Sequence, residues 1–136
     1  MLRLRRQLPA TADSVAQLRT LAVAYALENC QVGDQLLDDV ALAVSEAATN
    51  AVQHAYPDHA EPGPIELDAY HAPTRLVVQI SDHGTSRQQR FQSGIGLRIL
   101  RLLARSHIRH DQDGTTVTMT FPCGHLDEEV GFNSDV

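Results

Sequence analysis

Apolar and polar positions change period several times along the chain, and each change marks an element. Leu2 and Leu4 alternate with Arg3 and Arg5 up to Pro9, a short edge-strand pattern. From there the period is helical. Val15, Leu18, Leu21, Ala22, Tyr25 and Ala26 share one face of a helix that Asp13 or Ser14 can cap and that runs to about Asn29. Gly33-Asp34 opens a second helix with the stripe Leu37, Val40, Val44, Ala47, Ala51 and Ala55, ended by Pro57. The prolines and glycine of residues 57–64 mark a loop. Residues 65–70 and 75–82 read as two strands of a hairpin joined by residues 71–74, and the apolar run Leu76-Val77-Val78 predicts deep burial. Residues 83–93 carry no hydrophobic period and read as a loop. Residues 94–106, opened by Gly94 and Gly96, read as a third helix. Residues 107–122 form a last hairpin with Asp113-Gly114 as its turn.

The predicted order is strand, helix, helix, strand, strand, helix, strand, strand. Helices fall among hairpins rather than in alternating crossovers. That predicts an α+β two-layer sandwich, a mostly antiparallel, mixed sheet with three helices on one face. Residues 1–122 are expected to make one domain, followed by an acidic, frayed tail over 123–136. There is no internal repeat and no low-complexity stretch.

Composition narrows what such a domain does. A length of 136 residues suits one core, and 43% hydrophobic with 21% charged residues reads as globular. The net charge of −6 argues against a phosphate-backbone binder, so no nucleic-acid partner is expected. Arg3, Arg5 and Arg6 leave room for a local basic patch, and Arg87 to Arg109 hold most of the other arginines. No segment reaches the ~18 apolar residues of a membrane span, and the N-terminus carries no leader-like apolar stretch. A reducing cytoplasm, with Cys30 and Cys123 as free thiols, is the expected setting. Cys123-x-His125 alone is too small a cluster for zinc.

Three constellations carry candidate chemistry. On the second helix, Glu46, Asn50 and His54 recur every fourth residue, so they wind along one margin of the apolar stripe. A half-buried carboxylate there can be tuned and aimed; the plainer reading is a solvated helix face. At the end of the second hairpin strand, Ser81-Asp82-His83-Gly84 sets an acid beside a glycine, where a ligand can lie against backbone; an ordinary turn would use the same residues. Ser93-Gly94-Ile95-Gly96-Leu97 runs straight into a helix, whose amides and dipole favour phosphate. It is no dinucleotide fingerprint, because the third glycine and the parallel βαβ context are missing.

Each constellation is common, but their order is specific. Ser45-Glu46-Ala47, Thr49-Asn50-Ala51 and His54-Ala55-Tyr56, then Asp82-x-Gly84, then Gly94-x-Gly96, then Gly114-Thr115, together resemble the GHKL ATPase superfamily. This group includes gyrase, histidine-kinase catalytic domains and anti-sigma-factor kinases, and the first motif looks closest to the last of these. The resemblance spans the first strand to Phe121 and implies a Bergerat-type ATP-binding fold. It implies ATP and Mg²⁺ as cofactors. Asn50 would be the magnesium ligand and Glu46 the general base. Asp82 would accept from the adenine amino group, with Gly84 allowing close approach and Thr115 helping hold the base. Gly94, Gly96 and Leu97 would present amides to phosphate. His54 is expected to be structural.

The resemblance implies an ATP-dependent serine/threonine kinase that sequesters a sigma factor and phosphorylates an anti-anti-sigma protein. No membrane partner is expected, and because members of the resembled family often form homodimers, the resemblance leaves a homodimer open. Two departures matter. Ser86 stands where the family's second motif has its second glycine, and the segment Thr85 to Ser93 is a short lid in which Arg87 and Arg90 could pair with phosphate. These keep a second reading in view: a catalytically degenerate module that binds nucleotide or a regulator only. A detached histidine-kinase catalytic domain is a third, disfavoured because no phosphoacceptor helix precedes the domain and the first motif fits the anti-sigma branch better.

Overall fold

The computed structural model describes residues 3–31, 33–84 and 95–125. Its elements in chain order are β1 (Arg3–Pro9), α1 (Ala12–Asn29), β2 (Cys30–Gln31), α2 (Asp34–His54), β3 (Pro64–Ala72), β4 (Arg75–Asp82), α3 (Ile95–Leu103), β5 (Arg105–Asp111), β6 (Gly114–Pro122) and β7 (Gly124–His125). Five strands make one sheet in the order β1-β3-β4-β6-β5, and β2 pairs with β7 in a separate two-stranded ladder.

The expected α+β sandwich is the architecture found, and the sheet is stricter than a mostly antiparallel one. All four ladders of the five-stranded sheet are antiparallel. The reason lies in the path after β4. The chain crosses by α3 to an edge position, β5, and the β5–β6 hairpin then returns β6 into the gap beside β4. β4 and β5 therefore never become neighbours.

Strand alternation decides which face is covered. Ile65, Leu67, Ala69 and His71 of β3, Leu76, Val78, Ile80 and Asp82 of β4, and Thr115, Val117, Met119 and Phe121 of β6 all point inward and are buried. Their neighbours form an open polar face, where Gln79 Nε2 donates to Thr118 Oγ1 at 3.0 Å and Arg3 grips Asp68 through two bonds of 2.8 and 3.1 Å. The helices fit the inner face because their buried residues are small. α1 contributes Ser14, Leu18, Ala22, Tyr25 and Ala26, and α2 contributes Val40, Ala43, Val44, Ala47, Ala48 and Ala51. Alanines let α2 lie close to β4 and β6. Large side chains such as Phe121, Leu18 and Ile65 fill the rest, each contributing roughly 1.5–3 kcal/mol by burial.

Several boundaries differ from the sequence reading. Thr11, not Asp13 or Ser14, is the N-cap of α1, because the Ser14 N–H already donates to the Thr11 carbonyl at 3.0 Å and winds the first turn earlier. β3 runs on through His71 and Ala72, opposite Leu76 and Arg75, which leaves only Pro73 and Thr74 as the turn. α3 stops at Leu103, since Arg105 and Ser106 join β5 opposite Thr120 and Met119. Gly114 opens β6 rather than completing the turn, which falls on Gln112 and Asp113. Past Pro122, where a frayed tail was expected, the Cys123 N–H donates to the Thr74 carbonyl at 3.0 Å, and Gly124 and His125 then pair with Gln31 and Cys30.

Candidate functional site

β4 is the middle strand of five, flanked by β3 and β6, so its last residue is held on both sides. That residue is Asp82, which is buried at 4% exposure. Its Oδ1 accepts the Gly84 N–H at 3.0 Å, so the carboxylate shapes its own turn. Thr115 stands opposite Asp82 in the β4–β6 register, is equally buried, and its hydroxyl is hydrogen-bonded to the His110 ring. Two glycines permit this packing. A Cβ on Gly84 would collide with the Ala55 carbonyl at the end of α2. Gly114 has φ +134°, which L side chains rarely adopt, and a Cβ there would strike the Asp82 carbonyl.

Tyr56 ties α2 to this strand end. Its hydroxyl donates to the Pro64 carbonyl at 2.7 Å and accepts the His83 N–H at 2.9 Å. The C-terminal end of α2 is therefore fixed against both β3 and β4. Glu46, Asn50 and His54 are all half-buried along the α2 margin. The helix rises ~1.5 Å per residue. Asn50 thus lies about 7–8 Å along the axis from Ala55, the residue that abuts Gly84, and Glu46 about one turn further. α3 packs on α2 as well. Gly96 and Leu97 are half-buried in its first turn, where N–H groups have no carbonyl of their own helix to bond.

The structure thus brings Asp82, Gly84 and Thr115 together at one end of the sheet, with the Glu46–Asn50 margin leading to them and the first turn of α3 on the adjacent helix. Gly94, Ser86, Arg87, Arg90 and the rest of the expected lid lie outside the described residues. The donor set fits a magnesium nucleotide. Asp82 is a buried carboxylate, an acceptor that would suit an exocyclic amino group, the α3 amides suit phosphate, and the Asn50 amide oxygen is a hard donor of the kind magnesium prefers.

Sequence reasoning did not single out Tyr56, His110 or Gly114 as site supports. Tyr56 stood in the quoted motif and Gly114 in the turn, but their partners are fixed only by the register and by the packing of α2 on the sheet. Among the described residues, no helix is long and apolar enough to cross a membrane.

A family model described as a histidine kinase-like ATPase domain matches residues 8–121. The chain is 40% identical over 81 residues to the serine-protein kinase RsbW of Staphylococcus epidermidis, covering 59% of this chain and 50% of that protein. It therefore spans about half the length of that relative. To the serine-protein kinase RsbW of Staphylococcus aureus (strain Newman) it is 27% identical over 133 residues, covering 84% of this chain and 82% of that one. Among solved structures, the RsbU and RsbW domains of Rv1364c from Mycobacterium tuberculosis superpose with a TM-score of 0.70 at 23% identity, over 94% of this chain and 35% of that chain. That last likeness is one of fold.

Proposed function

The chain belongs to the histidine kinase-like ATPase domain family, and from that footing we propose that it is an ATP-dependent serine/threonine protein kinase of the anti-sigma-factor type. It sequesters a sigma factor and phosphorylates an anti-anti-sigma antagonist. The observation that carries the nucleotide part is Asp82, buried at the end of the central strand opposite Thr115. The kinship to serine-protein kinases supports the transfer part.

In this reading Asp82 accepts from the adenine amino group, and Thr115 holds the base from the neighbouring strand. Gly94, Gly96 and Leu97 donate backbone N–H groups to phosphate. Asn50 is the magnesium ligand, and bound Mg-ATP supplies the phosphoryl group. Glu46 takes the proton from the attacking serine hydroxyl as general base. A phosphate on the antagonist adds ~1.5–2 negative charges at neutral pH and releases a docked interface by repulsion and desolvation. The second reading, a module that binds without transfer, is favoured by Ser86 in place of the second glycine of that motif.

Paired variants test the assignment. Asn50→Ala should weaken magnesium-dependent nucleotide binding itself. Glu46→Ala should keep most of the nucleotide affinity and lose phosphotransfer by ~10²–10⁴-fold. Calorimetry with an ATP analogue and phosphate incorporation into the antagonist are measured on both. Equal loss of affinity in the two variants would make Glu46 a structural or metal-shell residue, and undiminished transfer by Glu46→Ala would remove its general-base role. Binding without transfer by the unaltered chain would favour the second reading.

A further inference from the structure

At the other end of the sheet three soft donors meet from separate parts of the chain. Cys30 begins β2 directly after α1, His71 lies on the inner face of β3 opposite Leu76, and Cys123 follows β6. The two sulfur atoms and an imidazole nitrogen all lie within 4.8 Å of one another. Cys30 is 1% exposed, His71 6%, and Cys123 half-buried. Both thiols are unoxidised. Six residue steps along β3 lead from Ile65, which faces Asp82, to His71, so the cluster stands about 20 Å from the proposed nucleotide end.

The geometry points to a metal site, and we propose that Cys30, His71 and Cys123 bind Zn²⁺ as a three-ligand centre with water in the fourth position. The size fits. Zinc–sulfur bonds of ~2.3 Å and zinc–nitrogen bonds of ~2.0–2.1 Å in a tetrahedron set the donors roughly 3.5–3.8 Å apart. A cluster no wider than 4.8 Å reaches that by shifts of about half an ångström per donor. The chemistry fits too. Two sulfurs and an imidazole, with no carboxylate among them, suit zinc and not magnesium or calcium.

Binding replaces the two thiol protons, which pass to solvent, with two zinc–sulfur bonds. Cys30 is buried and Cys123 half-buried, where a bare thiolate is costly, so a bound cation is what lets both sulfurs carry charge there. The three ligands sit on three otherwise separate pieces: the end of α1, the β3–β4 hairpin and the segment after β6. The ion would clip them together where the Cys123–Thr74 hydrogen bond and the short β2–β7 ladder already hold the chain. The proposal is independent of the kinase reading, because its donors and its test involve no nucleotide.

The test uses the full chain, reduced, chelator-stripped and free of nucleotide, under anaerobic conditions. Cobalt(II) is titrated as the spectroscopic probe and then displaced with zinc. The expected result is saturation at one ion per chain, with sulfur-to-cobalt charge-transfer absorption and the intense visible bands of tetrahedral cobalt. Zinc should abolish these and raise the melting temperature. Cys123→Ser, chosen because Cys123 is half-buried and tolerates change better, should lose most of the charge-transfer intensity and weaken zinc binding by at least ~100-fold. Circular dichroism confirms that the variant folds, and Cys30→Ser serves as a second variant. No stoichiometric binding by the reduced chain would overturn the proposal. So would binding unchanged in both serine variants, or a Cys30–Cys123 disulfide that forms readily with zinc present.

Discussion

Replacing Asp82 by asparagine separates charge from shape at the strand end. The side chain is nearly as large and keeps one carbonyl oxygen, which can go on accepting the Gly84 N–H now held at 3.0 Å. The other carboxylate oxygen becomes an NH₂ group. If Asp82 holds the adenine as proposed, a purine amino group then meets a donor where it had met a charged acceptor. A hydrogen bond to a charged partner contributes ~1.5–3 kcal/mol, and 1.4 kcal/mol is tenfold in affinity. Asp82→Asn should therefore weaken ATP binding by about 10- to 150-fold, with the melting temperature nearly unchanged. Inosine triphosphate sharpens the test, because it carries an oxygen in place of that amino group. The unaltered chain should prefer ATP, and Asp82→Asn should narrow or reverse the preference, since its NH₂ can donate to the oxygen. Calorimetric titration of both nucleotides against both proteins forms a closed cycle. An ATP affinity within twofold of the unaltered chain, or an unchanged preference between the nucleotides, would show that Asp82 does not read the base.

Gly114→Ala places a side chain at φ +134° and against the Asp82 carbonyl. It should cost about 1–3 kcal/mol, seen as a lower urea midpoint at constant slope; an unshifted midpoint would mean the strand end adapts freely. Tyr56→Phe removes the hydroxyl that donates to Pro64 and accepts from His83. Stability should fall by about 1–3 kcal/mol, and nucleotide affinity with it, because α2 loses its tie to β4. A stability loss with unaltered affinity would separate that tie from the site.

The elements were legible wherever one period ran long enough to be read. The α2 stripe through Val40, Val44, Ala47 and Ala51 is buried as its spacing predicted, and Glu46, Asn50 and His54 border it half-buried. Boundaries were less legible because tertiary pairing moved them. Arg105 and Ser106 continue a helical pattern, yet pairing with Thr120 and Met119 recruits them into β5. His71 and Ala72 read as loop beside Pro73, yet the antiparallel register with Leu76 and Arg75 carries them into β3.

What makes a site is convergence, and convergence is legible only when a motif has already encoded it. Asp82 and Thr115 could be placed together because the order of their motifs resembled a known arrangement, and the β4–β6 register sets them face to face. Cys30, His71 and Cys123 had no such guide. Cys123-x-His125 looked too small for zinc because the other donors come from the end of α1 and from a strand whose inward residues are otherwise apolar or small. Only the fold says that His71 takes the inward position next to the β3–β4 turn, and that the Thr74 carbonyl draws Cys123 to the same corner. The two proposed sites lie at opposite ends of the β3–β4 ladder, one where Ile65 meets Asp82 and the other where His71 meets Leu76. A sheet is stiff along its strands, so tightening the second end need not disturb the first. Zinc should therefore raise the stability of the domain without changing its affinity for nucleotide, because the corner where the end of α1, the β3–β4 turn and the segment after β6 meet would be held by a chemistry separate from that of the proposed nucleotide end.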